Sequence, residues 1–325
     1  MINSNIEHLY RDKRYLQILE HAKRQHRDIV NDKDVLFLGF TYLELQMPKD
    51  ALECLLSVKL DDFNDYEAKA YRYIALSYYL LGEYQCASHY MDVSIHLNDL
   101  EALLWKKLLF PKCAEVHEIG KMIFWFVEPI SPLASKLFMS RSLYAYKSLV
   151  DFTGEELYLK KINIYIYQQR VDVLGNPLSY ADNGMKTIHI NVNDFAGHEL
   201  AHILFNSLYY DMHRCAFVDE GIATFFSYSL SFAEYIRRHK HKLDKYDILE
   251  YWCDSSMDKR LANDQYLFAG AFVGYLLEKY GKYKLLSFIK DERASNAEKV
   301  FGESAERIVE EFYEVVEKMQ NYEGA

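Results

Sequence analysis

The hydrophobic positions of the first 110 residues recur with the period of helices that pack in pairs. Within the stretch 69–98, a first set of residues lies three or four positions apart and comprises Tyr71, Ile74, Tyr78 and Leu81. A second set follows and comprises Tyr84, Ala87, Met91 and Ser94. Gly82 separates the two sets, and small Ala75 and Ala87 allow close approach. The pattern therefore predicts an antiparallel pair of helices with a turn at Gly82.

A related pattern precedes this pair at a constant offset of 36 residues. The earlier positions are Leu38, Gly39, Tyr42, Leu45, Ala51 and Leu55, and they align with Ile74, Ala75, Tyr78, Leu81, Ala87 and Met91. The two pairs resemble tetratricopeptide repeats, whose period is about 34 residues, and a weaker helical hairpin is predicted at 5–31. The turn of the earlier pair, Gln46-Met47-Pro48, departs from the Leu-Gly pattern of these repeats. The resemblance implies a concave surface that binds a peptide or protein partner; a helical support for the rest of the chain is the alternative.

From Glu118 onwards the pattern becomes mixed. Short apolar or alternating runs predict three strands, at Met122–Val127, Ile162–Tyr167 and Lys186–Asn191. Helical spacing is found at Leu133–Val150 and then at about 216–238, 264–280, 283–290 and 305–320. We therefore predict a mostly helical α+β chain with a repeat-like domain at 1–115. A second domain, at 116–325, combines a small sheet with a helical C-terminal lobe.

The helix predicted after the third strand carries a candidate metal site. His198 and His202 are four positions apart, so they lie on one helix face and can bind the same zinc ion. Glu199 lies about 100° further round the helix, where it can reach water at such an ion without being a ligand. Because catalytic zinc takes three protein ligands, a third residue is needed.

The segment 218–226 is the expected source of the third ligand. Its acidic residues, Asp219 and Glu220, open a predicted helix. Small Gly221 and Ala223 are expected to permit close approach to the helix of the histidines. From the residues alone, either carboxylate can be the ligand.

The combined motif resembles one superfamily of zinc enzymes. His198-Glu199-x-x-His202 is followed 18 positions later by Glu220 in a Glu-Gly-x-Ala context, as in the gluzincin metallopeptidases, the superfamily of thermolysin and the zinc aminopeptidases. The resemblance covers about residues 118–320. It implies that His198, His202 and Glu220 bind one zinc ion and that Glu199 activates the water. The interval before Glu220 is one residue shorter than in the aminopeptidases, which keeps Asp219 as the alternative ligand.

A further match concerns the oxyanion. Tyr266-x-x-Ala269, followed by an apolar run that ends at Gly281, is similar to the helix whose tyrosine stabilises the oxyanion in gluzincin aminopeptidases. The resemblance gives Tyr266 this role; a core tyrosine is the alternative, and His213 is a second candidate donor. The chain contains no Gly-x-Met-Glu-Asn stretch, which holds the substrate amine in those aminopeptidases. Specificity for a free amino terminus is therefore not implied.

Composition restricts the partners. The chain has 325 residues with 38 basic and 48 acidic side chains, a net charge of −10, so nucleic acid is not an expected partner. The sequence shows no secretory signal and no apolar run of about 18 residues, so we expect a cytoplasmic chain without a membrane span. The five cysteines form no CxxC pair, which argues against a disulfide framework or a structural thiolate site.

Together these features predict a zinc-dependent peptidase whose peptide or protein substrate is recruited in part by the helical repeats. One alternative is a repeat-type interaction scaffold whose zinc domain is not catalytic. Another is a zinc domain that hydrolyses an amide or ester other than a peptide bond. Intact Glu199 favours the catalytic interpretations, because a structural zinc site needs no general base.

Overall fold

The computed structural model describes residues 6–24, 32–60, 63, 66–154, 161–168, 179–208, 214–228, 231–240, 243, 247–252 and 263–321. In this part of the chain the fold is mostly helical α+β, as predicted, with sixteen α-helices and five strands. None of the described helices has both the length and the apolar character needed to cross a bilayer. The chain forms two compact units. Unit 1 comprises Met1–Pro129, Tyr158–Leu178 and Gly184–Thr187, and unit 2 comprises Ile130–Leu157, Ser179–Asn183 and Ile188–Ala325.

Seven helices open unit 1, and they are α1 Ile6–Arg11, α2 Tyr15–Arg24, α3 Asp32–Glu44, α4 Pro48–Ser57, α5 Glu67–Leu80, α6 Tyr84–His96 and α7 Leu100–Leu109. The predicted pairs are present, since α3 packs on α4 and α5 packs on α6. Gly82 forms the turn of the later pair with φ of +80°, a left-handed conformation that glycine adopts without strain. A Cβ atom at Gly39 would lie 2.7 Å from Leu55 Cγ, so this small residue lets α3 and α4 approach closely. The helical pairs are confirmed, while their membership of a repeat family stays a prediction.

Three strands complete unit 1, and they are β1 Glu115–Ile119, β2 Met122–Phe126 and β3 Ile162–Tyr167. β1 pairs antiparallel with β2, and β2 pairs parallel with β3. All six residues of β3 are buried. The Tyr165 hydroxyl donates a hydrogen bond to the Leu109 carbonyl at 2.5 Å and lies 2.8 Å from the Tyr79 hydroxyl. The opening helices and these strands therefore share one core, and the predicted division of the chain at residues 115 and 116 stays a prediction.

Unit 2 contains the remaining elements, except that the first residue of β5, Thr187, belongs to unit 1. They are α8 Pro132–Thr153, β4 Tyr180–Asp182, β5 Thr187–Asn191, α9 Gly197–Leu208, α10 Ala216–Tyr228, α11 Phe232–His239, α12 Ile248–Tyr251, α13 Asn263–Tyr280, α14 Lys282–Phe288, a 3-10 helix Ala294–Asn296, α15 Ala297–Phe301 and α16 Ala305–Asn321. The single helix predicted at about 216–238 is wrong, because α11 starts anew with a capping box. In that box Ser231 Oγ accepts the Glu234 amide hydrogen, and the Glu234 carboxylate accepts from the Ser231 amide.

The helix α10 packs between α9 and α13. Gly221 faces α13, since a Cβ atom there would lie 2.6 Å from the carbonyl oxygen of Ala269. The expectation that Gly221 lets α10 approach the histidine helix is therefore wrong for this residue. On the other side, α9 buries an apolar face that comprises Leu200, Ala201, Ile203, Leu204 and Phe205. This packing brings the start of α10 to the histidines of α9.

Candidate metal centre

The two histidines of α9 converge on one point. Four positions along a helix bring side chains to the same face, and the Nε2 atoms of His198 and His202 lie 3.2 Å apart. Both rings are partly shielded from solvent, with 25% of the His198 side chain and 11% of the His202 side chain exposed. When each neutral ring carries its proton on Nδ1, both Nε2 lone pairs are free to bind the same cation.

Glu220 of α10 supplies the third atom. Its Oε2 lies 3.1 Å from His198 Nε2 and 3.3 Å from His202 Nε2. A tetrahedral zinc ion with ligands at about 2.0–2.1 Å holds neighbouring ligand atoms about 3.3–3.4 Å apart, so the three separations fit such an ion. Among the described residues this buried oxygen has no partner with hydrogen-bond geometry. Together these three side chains can hold a metal ion.

The pKa of Glu220 favours the ligand form. Burial raises the pKa of this carboxyl, but His198 and His202 outweigh burial, and the pKa is lowered to about 2. Glu220 is therefore ionised at neutral pH. A carboxylate beside two imidazoles is a donor set that zinc accepts readily, whereas calcium and magnesium prefer oxygen ligands throughout.

Asp219 lies at the other nitrogen of the His202 ring. Its Oδ2 is 3.2 Å from His202 Nδ1, whereas Glu220 and His198 face Nε2. Burial lowers the pKa of His202, but Asp219 and Glu220 raise it, and the net pKa is well above its ordinary value. A hydrogen bond from Nδ1–H to a carboxylate leaves the Nε2 lone pair directed at the cluster. The geometry thus gives Asp219 an orienting position and Glu220 the ligand position.

Glu199 lies beside the ligands but outside the cluster of three. Its side chain is buried, with 8% exposed. Burial raises the pKa of Glu199, and the neighbouring His198 and His202 act in the opposite direction. Glu199 is thus a buried carboxyl group whose electrostatic neighbours include both histidines of the candidate site.

Tyr266 lies near the start of α13, on the His198 side of the cluster. The ring centroids of Tyr266 and His198 are 6.2 Å apart, with the rings tilted by 52°. The structure thus brings Tyr266 to the same site as the three ligands and Glu199. His213, the other candidate donor, lies outside the described residues.

Arg214 and Glu292 also belong to the surroundings of this site, and sequence reasoning missed both. The Arg214 guanidinium donates to Glu292 at 2.6 Å and lies 3.7 Å from an Asp219 oxygen. Glu292 is fully buried. Its local sequence, Lys290-Asp291-Glu292-Arg293, has the composition of a solvated surface turn, so no local signal marks it as a buried residue.

Comparisons with known proteins do not assign the candidate site to a family. No protein-family model matches the chain, and no curated protein matches it significantly. The similarity to gluzincins, which rests on short motifs, therefore stays a prediction. The structure shows a mostly helical α+β chain in which two histidines and a glutamate form a cluster able to hold a metal ion.

Proposed function

We propose that the protein is a zinc-dependent hydrolase of peptide bonds. The observation that carries the proposal is the convergence of His198 Nε2, His202 Nε2 and Glu220 Oε2 to within 3.1–3.3 Å of one another. Three protein ligands leave a fourth tetrahedral position free for water or substrate, which is typical of catalytic zinc. Structural zinc sites usually close that position with a fourth Cys or His.

The chemistry follows from the side chains around the ligands. His198, His202 and Glu220 would hold the zinc ion, which would supply a water of lowered pKa and polarise a carbonyl group. Glu199 takes the proton of the attacking water and delivers it to the leaving amine. The Tyr266 hydroxyl donates a hydrogen bond to the oxyanion that develops on the substrate. The Asp219 carboxylate holds the His202 ring in its orientation.

The proposed substrate is a peptide or a protein, recruited in part by the helices of unit 1. Paired helices such as α3–α4 and α5–α6 present extended surfaces that suit binding of a polypeptide partner. This part of the proposal has its own test. The competitor is an isolated peptide that binds unit 1, added in excess. If the helices recruit substrate, this peptide raises the apparent KM for a protein substrate and leaves the cleavage of short peptides unchanged.

A peptide-library digest tests the activity. Full-length protein is incubated with the library as purified, after treatment with a chelator, and after zinc is restored. Cleavage that disappears with the chelator and returns with zinc supports the proposal. Zinc binding without cleavage of any peptide overturns peptide hydrolysis. In that case an ester and amide panel separates a different hydrolase from a non-catalytic scaffold.

A further inference from the structure

The buried carboxyl group of Glu292 contacts the start of the helix that carries the third ligand. One oxygen, Oε1, accepts a hydrogen bond from the Arg214 guanidinium at 2.6 Å. The other oxygen, Oε2, accepts one from the backbone amide of Cys215 at 2.8 Å. Because α10 begins at Ala216, this single side chain holds the two residues that lead into the helix. A carboxyl group is also favoured at a helix N-terminus by the helix dipole.

Glu292 is itself held firmly in place. Its backbone carbonyl accepts a hydrogen bond from the Trp252 indole at 2.8 Å. Trp252 is fully buried, and its ring packs on Phe272 and Phe288 with centroids 5.2 and 5.7 Å away. The carboxyl group therefore has little freedom to move away from Arg214. Burial raises the pKa of Glu292 and Arg214 lowers it, with a net pKa above the ordinary value.

A continuous series of polar contacts leads from Glu292 to the metal site. Arg214 Nη1 lies 2.6 Å from Glu292 Oε1 and 3.7 Å from Asp219 Oδ1. The second oxygen of Asp219 lies 3.2 Å from His202 Nδ1. The guanidinium donates to Glu292, and it acts on Asp219 as an ion pair at 3.7 Å, which is beyond hydrogen-bond distance. Glu292 thus holds in place a positive charge that faces one oxygen of Asp219, and the other oxygen of Asp219 faces His202 Nδ1.

We propose that Glu292 is a positioning residue of the metal centre, acting through Arg214 and Asp219 to aim His202 Nε2 at the ion. This inference rests on the metal site of the proposed function, but it does not require peptide hydrolysis. Partners behind a histidine ligand typically change metal affinity by about tenfold to a hundredfold. The alternative is that Glu292 only stabilises the start of α10, in which case the affinity of the folded protein for zinc does not depend on it.

The test measures zinc affinity of the full chain by competition with a chromogenic chelator, with thermal stability followed in parallel. The variants are Glu292→Gln, Asp219→Asn and the double variant. We expect each single variant to bind zinc at least about tenfold more weakly than the wild type does. We expect the double variant to bind zinc as tightly as the single variant with the lower zinc affinity, because both changes interrupt the same series of contacts. Arg214→Lys, which keeps the charge, should lose affinity in the same way.

Asp99→Asn is the matched control. Asp99 also receives an arginine, with Arg72 Nε at 2.8 Å, and accepts the amides of Glu101 and Ala102 at the start of α7. It belongs to unit 1, whereas the candidate ligands belong to unit 2. This change should lower the melting temperature and leave zinc affinity unchanged.

Three results overturn this inference alone. The first is a Glu292→Gln protein that melts earlier but binds zinc as tightly as the wild type. The second is additive losses in the double variant. The third is wild-type zinc affinity in Asp219→Asn, which overturns the inference even if Glu292→Gln does not fold.

Wild-type protein that binds no zinc overturns this inference and the proposed function together. Zinc binding with the expected losses but without peptide cleavage supports this inference and overturns only the proposed activity.

Discussion

Glu220 Oε2 lies 3.1 Å from His198 Nε2, although the two residues are 22 positions apart and belong to different helices. The contact exists because α9 and α10 pack on one another, with Glu220 one turn into α10 and His198 in the first turn of α9. The separation is close to that of two ligands on a tetrahedral zinc ion, about 3.3 Å. Metal binding is thus the first property to measure.

Replacement of His202 or Glu220 by alanine removes one of three ligand atoms. We expect zinc content to fall from one ion per chain to almost none, because two ligands bind zinc far more weakly than three. Elemental analysis after gel filtration measures this content. His117→Ala is the control, since His117 lies on β1 and outside the cluster. Full zinc occupancy in both ligand variants would show that the ion is held elsewhere.

Glu199→Gln keeps the size of the side chain and removes its ability to take a proton. We expect zinc content to stay at one ion per chain and kcat/KM for peptide cleavage to fall by about 10²- to 10⁴-fold. Glu298→Gln, on the exposed start of α15, is the matched control and should keep full activity. Full activity of Glu199→Gln would remove Glu199 from its proposed role.

Tyr266→Phe removes the hydroxyl of the tyrosine ring whose centroid lies 6.2 Å from that of the His198 ring. If that hydroxyl stabilises the oxyanion, kcat falls by about 10²- to 10³-fold, with zinc content and KM nearly unchanged. Steady-state kinetics on a cleaved peptide measure both parameters. Tyr283→Phe is the control, because 85% of Tyr283 is exposed. A Tyr266→Phe enzyme with wild-type kcat would assign Tyr266 to the packing of α13 instead.

Gly221→Ala tests the contact between α10 and α13. The added Cβ would lie 2.6 Å from the Ala269 carbonyl and 2.9 Å from a Val273 methyl, so the helices must separate. Overpacking of this kind costs about 1–3 kcal/mol. Urea denaturation measures the free energy of unfolding. Because Gly221 follows Glu220 directly, we also expect weaker zinc binding, and wild-type values of both quantities would contradict this account.

The lowered pKa of Asp99 predicts that part of the free energy of unfolding depends on pH. Burial raises its pKa, but hydrogen bonds from Arg72, the Ala102 amide and Ser94 outweigh burial, and the pKa lies below its ordinary value. A lowered folded-state pKa gives stability that is present above about pH 4 and is lost as the pH falls through the folded value. We expect Asp99→Asn to lower the unfolding free energy by about 1–3 kcal/mol at pH 7. Urea titrations at pH 7 and pH 3 should show the difference shrinking, and an equal loss at both would contradict this origin.

Sequence alone determined the features that depend on local geometry. Helical periodicity located the pairs α3–α4 and α5–α6, a continuous apolar run located the strand β2, and an alternating run located β3. The alignment of His198 with His202 follows from the helix repeat, whatever the rest of the chain does. By contrast β1, whose residues are mostly exposed and polar, has no such signal, and its pairing with β2 defines it.

Tertiary structure decided which side chains meet. Asp219 and Glu220 are adjacent acids, and the sequence supports either as a ligand. The packing of α10 on α9 places Glu220 at Nε2 of the His202 ring and Asp219 at Nδ1. Glu292 lies 72 positions beyond Glu220 in a charged run, and only the fold buries it against the start of α10. The physical reason is that helix spacing is a property of neighbouring residues, whereas burial and side-chain contacts depend on packing between distant segments.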